Sequence, residues 1–334
     1  MSQNHYAVSV IIPVYKVRGY IERCAESLMS QTLQEVEFIF VDDATPDDSI
    51  EILKSVLNRH PERQKDVTIL SHSENRGLPS ARNTGLAKAS GEYIFHCDSD
   101  DYVELSMLEE MYDFAVKNEL DIVWCDWWLT FGRKERKMFT PDYKTPQEAL
   151  RGMLGGSMKY NVWNKLAKRS IYEQFSIRFP DGYGMGEDLT MLLLFAHAKK
   201  SRRLAKAFYH YVKDNCNAFS SIIRVEHFEP LKRNVLWIAK ELCHLFGHEI
   251  EKEIVYLKLQ SKYPLLTDSG KVEYYRLWND WFPEANKHIL GNQHISLRSK
   301  ILQLSAKYKL YVIVAFHYWL LNKVYYNIIY KWKW

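Results

Sequence analysis

The chain is poor in the residues that mark special scaffolds. Its 334 residues include only 14 glycines and 10 prolines, too few for long low-complexity or disordered segments. Five cysteines, at positions 24, 97, 125, 216 and 243, form an odd set with no CxxC spacing. That argues against a disulfide framework and a structural zinc site, and suits a reducing, cytoplasmic setting. The opening stretch MSQNHYAVSVIIPVY has no basic segment before a long apolar core, so no signal peptide is expected. No internal repeat is visible. Acidic residues stop at Glu284, while Lys287, Arg298, Lys300, Lys307, Lys309, Lys323, Lys331 and Lys333 follow it. The last fifty residues therefore carry +8 within a chain whose total is +4, and such asymmetry suggests a basic tail that meets something anionic.

Apolar residues make up 47% of the chain, ample for a buried core and consistent with more than one domain. The first part alternates between two periods. AVSVIIPVY (7–15) is a continuous apolar run, as expected of a strand covered on both faces. Helical spacing follows in 18–33, then a strand in VEFIFVDD (36–43) and a helix from Pro46 to about Arg59. Further strands are expected at 67–70, 92–97 and 120–126, with helices at 79–89 and 105–118. This alternation implies an α/β, mostly parallel, Rossmann-like sheet flanked by helices. Ligands of such sheets sit outside the carboxyl ends of the strands. Residues 159–175 suggest a strand or loop leading into a short helix. A glycine-rich loop and an apolar helix fill 179–198, 204–212 suits another strand, and the pattern is helical from Glu226. Residues 1–220 are read as one domain and 221–334 as a helical C-terminal region.

FHCDSDDY (95–102) sets Asp98, Asp100 and Asp101 directly after a strand. Like charges this close repel, and burying them is costly. A solvated acidic loop or a helix cap would explain them. So would Mg²⁺ or Mn²⁺, which take one or two carboxylates and complete their shell with phosphate oxygens. His96 and Cys97 alternate on a strand and cannot converge on one ion with Asp98. GYGMGE lacks the GxGxxG spacing of a dinucleotide loop and reads better as a lid over an acceptor.

VSVIIPVYK, VDDATPDDS, NRGLPSARNTGLAKASGEYIFHCDSDD, NKLAKRSIY and GEDLTMLLLF, in that order, resemble the family 2 glycosyltransferases over roughly residues 7–215. The resemblance implies a GT-A fold and inverting transfer from a nucleotide sugar, usually a uridine diphosphate sugar. It implies that Pro13, Val14 and Tyr15 line the base and that Asp42, beside Asp43, accepts from the uracil N–H. Arg82 then answers negative charge, Asp98 lies near the ribose and metal, and Asp100 ligates Mn²⁺ or Mg²⁺. Asp188 matches the catalytic base, with Glu187 orienting the acceptor or a neighbour. Trp163, Asn164 and Lys165 match a segment of the pocket wall, with direct substrate contact open to Lys165. His210 is either a histidine packed among aromatics or a further metal or diphosphate contact. The family usually has apolar residues where His96 and Cys97 stand. Other readings are a nucleotidyltransferase, which GEDLT argues against, and a catalytically silent scaffold, which the intact Asp98, Asp100 and Asp188 argue against.

In the tail, 308–334, the apolar stretch Leu310–Leu321 is too short to span about 30 Å of hydrocarbon. Its tyrosines, tryptophans and flanking lysines suit an amphipathic helix lying on an anionic membrane surface. Docking on the chain's own core or on a second copy in a homodimer is the other reading. No nucleic-acid-binding module is recognisable. The expectation is a peripheral protein on the inner face of the cell membrane, transferring a sugar to a glycan acceptor, lipid-linked, for capsule, lipopolysaccharide or a similar polymer.

Overall fold

The computed structural model describes residues 6–132, 134–180, 187–213, 228–268, 270–321 and 324. The first half alternates as the periods predict: β1 (Val8–Val14), α1 (Ile21–Met29), β2 (Val36–Asp42), α2 (Ser49–Arg59), β3 (Val67–Ser71), α3 (Leu78–Lys88) and β4 (Tyr93–His96). Then come β5 (Tyr102–Val103), α4 (Met107–Lys117), β6 (Ile122–Phe131), β7 (Lys134–Met138), α5 (Pro146–Gly155), β8 (Lys165–Lys168), α6 (Arg169–Gln174), α7 (Thr190–His197) and β9 (Ser201–Val212). The helical region holds α8 (Phe228–Phe246), α9 (Glu251–Lys262), α10 (Pro264–Thr267), α11 (Val272–Asp280), α12 (Leu297–Lys307) and α13 (Tyr311–Trp319). The expected boundary near 220 lies outside the described residues. No described helix is long and apolar enough to cross a membrane.

The strands form one sheet in the order β3-β2-β1-β4-β8-β6-β9-β5, with β7 paired to β6. β3, β2, β1 and β4 are parallel, as expected. The rest is mixed: β8 runs antiparallel to both β4 and β6, whereas β9 is parallel to β6. β8 follows the β6–β7 hairpin and α5 in the chain and runs back against both of its neighbours. β1 is buried along its whole length. Its alternate residues Val8, Val10 and Ile12 pack with α1, α2 and α4, while Ile11 belongs to the core on the other face. That second core is continuous from α5 and α7 into the C-terminal helices.

Proline in a central strand normally forfeits a ladder bond. Ile11 O accepts from Cys97 N, so the polar groups of residue 11, and by alternation those of 13, face β4. β4 ends at His96, and the missing N–H of Pro13 therefore falls beyond it.

The opposite rim is tied by one carboxylate. Buried Glu37 Oε1 accepts from Ser9 Oγ (2.6 Å), Ser90 N (2.6 Å), Ser90 Oγ (2.8 Å) and Gly91 N (3.0 Å). Gly91 permits this approach, since a Cβ there would stand 2.6 Å from Ser9 N. Glu37→Ala strips an acceptor from donors on two segments, Ser9 of β1 and Ser90–Gly91 before β4, and should cost about 3 kcal/mol of stability. Chemical denaturation reads this directly, and a loss under about 1 kcal/mol would contradict the assignment.

Candidate active site

Parallel β1, β2 and β4 end on one rim, which brings together residues far apart in sequence. The β1–α1 and β2–α2 loops are knitted side by side. Lys16 N donates to Thr45 Oγ1 (2.8 Å), and Arg18 N donates to Asp47 Oδ2 (3.2 Å). Lys16 and Ala44 take left-handed φ values of 54° and 53°, strain that persists only where neighbouring contacts impose it. Pro13 and Val14 are buried beneath the loops, whereas Tyr15 presents a partly exposed ring with the Lys16 ammonium 5.1 Å from its centroid.

The adjacent acids separate in role. Asp42 is half-buried at the rim, its Oδ1 accepting from Thr45 N (2.9 Å). Asp43 is buried, and both of its oxygens serve its own scaffold. They accept from Arg76 N (2.8 Å) and Gly77 N (2.8 Å), with His72 Nδ1 2.7 Å away. His72 Nε2 in turn meets Thr84 Oγ1 at 2.8 Å. Gly77 has φ 86°, a conformation that favours glycine. Asp43 thus anchors the loop that starts α3.

From α3, buried Arg82 reaches Asp98 Oδ1 at 2.8 Å, and Asn83 clamps Phe179 by accepting from its N–H and donating to its carbonyl, both at 2.9 Å. The three crowded acids after β4 divide in the same way. Asp98 and Asp100 are half-buried on the rim, whereas Asp101 is 1% exposed. Asp101 accepts from Tyr209 Oη (2.8 Å) and Val212 N (2.7 Å). Burial, then the charges of Asp100 and Asp98, push its carboxyl well above the ordinary carboxylate range. Tyr209 Oη also accepts from Asp98 N at 3.1 Å. β9 therefore holds the acidic loop from behind. Asp101 positions its neighbours, and the rim pair is Asp98 with Asp100.

Those two carboxylates offer the hard oxygen donors that Mg²⁺ or Mn²⁺ takes. No group of three His, Cys, Asp or Glu among the described residues could hold an ion by itself, so a bound ion would draw further oxygens from a ligand. The residues fit a metal shared with a phosphate. His96 is fully buried against Tyr172 and Phe179, and burial, then Arg82, hold it neutral. Cys97 packs with α1 on the opposite face. Neither turns toward the rim. His210 stacks on Tyr102 with 4.2 Å between centroids, and its nitrogens meet Glu135 (2.7 Å) and Glu104 (3.0 Å). It is packed among aromatics and bound to acids of its own scaffold.

Asp188 lies in a short 3-10 turn, Glu187–Leu189, that leads into α7. Burial raises its carboxyl to about 6, against the pull of Arg82, Lys165 and the Val162 amide and with the push of Asp98. Lys165 is buried, and burial lowers its ammonium to about 7. Its three donors go to Lys159 O (3.1 Å), Asn161 O (2.6 Å) and Asn164 Oδ1 (3.0 Å). It therefore braces its own loop beside Asp188. Trp163 completes that wall by stacking on Tyr209, with centroids 4.6 Å apart. The glycine-rich stretch at 181–186, read above as a lid, lies outside the described residues.

Tyr209, His72 and Asn83 are the structural residues that sequence reasoning missed. Each stands inside or opposite a motif without belonging to a recognisable chemical pattern. Tyr209→Phe removes a hydroxyl shared by Asp98 and Asp101. It should lower stability by about 1–2 kcal/mol. Thermal melting reads this, and an unchanged melting temperature would remove Tyr209 from support of the rim acids.

Comparison with known proteins shows the family and the fold. The profile described as "Glycosyl transferase family 2" matches residues 9–188. Glycosyltransferase EpsJ of Bacillus subtilis is 34% identical over 229 residues, covering 64% of this chain and 63% of EpsJ. The cholesterol galactosyltransferase of Borreliella burgdorferi is 30% identical, covering 70% of this chain and 67% of its own length. The poly(ribitol-phosphate) beta-glucosyltransferase of Bacillus spizizenii is 28% identical over 87% of this chain but only 47% of its own length. The chain thus spans about half to two thirds of these relatives. Among solved structures, S. aureus TarS 1-349 in complex with UDP-GlcNAc superposes with a TM-score of 0.67 at 20% identity, covering 95% of this chain and 91% of that one. The fold is GT-A, with a helical C-terminal region, and the chain belongs to glycosyl transferase family 2.

Proposed function

We propose that this chain is an inverting glycosyltransferase that moves a sugar from a UDP-sugar to a hydroxyl of a lipid-linked glycan, in the synthesis of a surface polysaccharide. The observation that carries this reading is the convergence of Asp188 with Arg82, Asp98 and Lys165. It sets a carboxyl of raised basicity beside acids suited to a metal-bound diphosphate. The names of similar proteins support it: TarS was solved with UDP-GlcNAc, and a mannosyltransferase of Pyrobaculum calidifontis with GDP-Man and Mn²⁺.

In this reading Tyr15, with Pro13 and Val14 behind it, borders the base, and Asp42 accepts from it. Asp43 keeps the neighbouring loop in place. Asp98 and Asp100 hold Mn²⁺ or Mg²⁺, which when bound offsets charge on the leaving diphosphate. Arg82 fixes Asp98 and adds positive charge. Asp188 takes the proton of the acceptor hydroxyl as that oxygen attacks the anomeric carbon from the face opposite the diphosphate. Glu187 precedes it in the same turn and orients the acceptor. Lys165 keeps the adjoining loop fixed.

The C-terminal region supplies the membrane contact. α13 exposes Val312, Phe316 and Trp319, and the surrounding charges are basic. Apolar rings and lysines of this kind favour an anionic interface.

A panel of nucleotide sugars with Mn²⁺ tests the reaction through release of free diphosphate. No release, with no uridine nucleotide bound, would sink the proposal. Asp188→Asn should keep UDP binding and lose about 10²- to 10⁴-fold in transfer. A protonated carboxyl cannot accept a proton, so transfer by the unaltered chain should rise with pH through about 6 and then level off. A rate independent of pH between 5 and 8 would remove Asp188 from the base role. Deleting residues 308–334 should move the protein from the membrane fraction to the soluble one, and persistence with membranes would end the tail reading.

A further inference from the structure

Arg82 carries a full charge on a long side chain, yet it is 1% exposed. Its Nη2 donates to Asp98 Oδ1 at 2.8 Å. A planar guanidinium also takes its orientation from what packs on its face. Here the ring of Phe179 lies under it, with the guanidinium carbon 5.8 Å from the ring centroid. At that distance a cation is drawn to an aromatic face, and exclusion of water strengthens the attraction.

Phe179 is itself fixed from more than one side. It follows α6 in an irregular stretch, and Asn83, the neighbour of Arg82 on α3, takes both polar groups of its backbone at 2.9 Å. Its ring meets that of His96 at 85°, with 5.0 Å between centroids. His96 in turn has its Nε2 3.4 Å from Tyr172 Oη. Two adjacent side chains of one helix therefore engage the same distant residue, Asn83 its backbone and Arg82 its ring. Filling the core at this place needs an apolar side chain, but it does not need a cation laid over that side chain. The charge so placed serves both parts of the site: Asp98 accepts from it, and it acts on Asp188.

We infer that Phe179 is a positioning residue for transfer, whose ring seats the Arg82 guanidinium so that Asp98 keeps the orientation the donor diphosphate requires. The inference rests on the glycosyltransferase reading above and adds to it a residue that acts through Arg82.

The test is a double-mutant cycle in transfer, with Phe179→Leu, Arg82→Lys and the two combined. Phe179→Leu should lower kcat/KM for the donor about tenfold. It should cost little further in the Arg82→Lys chain, whose ammonium has no plane for the ring to set. Phe179→Met, which removes the ring but fills the space with an adaptable chain, should repeat the result and serves if the leucine form does not fold. Phe228→Leu is the control, since Phe228 is also buried but packs on Tyr274 and Trp281 in the helical region. It should lower the melting temperature comparably and leave kcat/KM unchanged. Independent losses in the cycle, or an equal loss of kcat/KM in Phe228→Leu, overturn the inference. A second readout needs no turnover. The side-chain NMR signal of Arg82 Nε–H, assigned by its absence from Arg82→Lys, should move and exchange faster with water in Phe179→Leu. An unmoved signal overturns the seating. Absence of turnover in the unaltered chain, with that shift observed, would count against the transferase reading and not against the seating.

Discussion

Three carboxylates within four positions at the end of one strand are the constraint around which the site is built. They cannot share a low-dielectric rim unless their charges are answered individually. The fold answers them from different directions. Arg82 on α3 meets Asp98 from one side, and Tyr209 and Val212 on β9 hold Asp101 from the other. Asp100 remains at the surface with Asp98. β9 and α3 sit where they do partly because this loop requires both a cation and a set of neutral donors.

The same economy runs through the segment from Arg76 to Gly91. Arg76 and Gly77 give their amides to Asp43, Arg82 meets Asp98, Asn83 holds Phe179, Thr84 meets His72, and Ser90 and Gly91 meet Glu37. One helix and its two flanking turns contact both rims of the sheet. Such a segment reads as a motif because four of its side chains, Arg82, Asn83, Thr84 and Ser90, and several of its backbone amides have distant partners.

The first four strands and their helices were legible because both faces of the sheet are covered there, and full burial writes continuous apolar runs into the sequence. β5 and β7 were not. β5 has two residues, and β7 is KERKM, mostly exposed and paired on one side, so neither carries an apolar period. The reversed direction of β8 was equally hidden, since pairing with β4 and β6 depends on residues distant in sequence. At the site, Asp98 and Asp100 stood out as crowded acids after a strand, and Asp188 and Arg82 drew notice only through the resemblance to the family's motifs. The division of labour within Asp42–Asp43 and Asp98–Asp100–Asp101 could not be found. It depends on which oxygen meets a backbone amide from a remote loop, and sequence does not encode that locally.

Asn83 has a mechanical consequence. It grips both polar groups of the Phe179 backbone, two residues before the stretch that leads to Glu187 and Asp188, while Arg82 beside it grips Asp98. α3 therefore works as a crossbar between the rim acids and the segment at Phe179, so the spacing between Asp98 and Phe179 is held by one rigid member rather than by two independently moving loops.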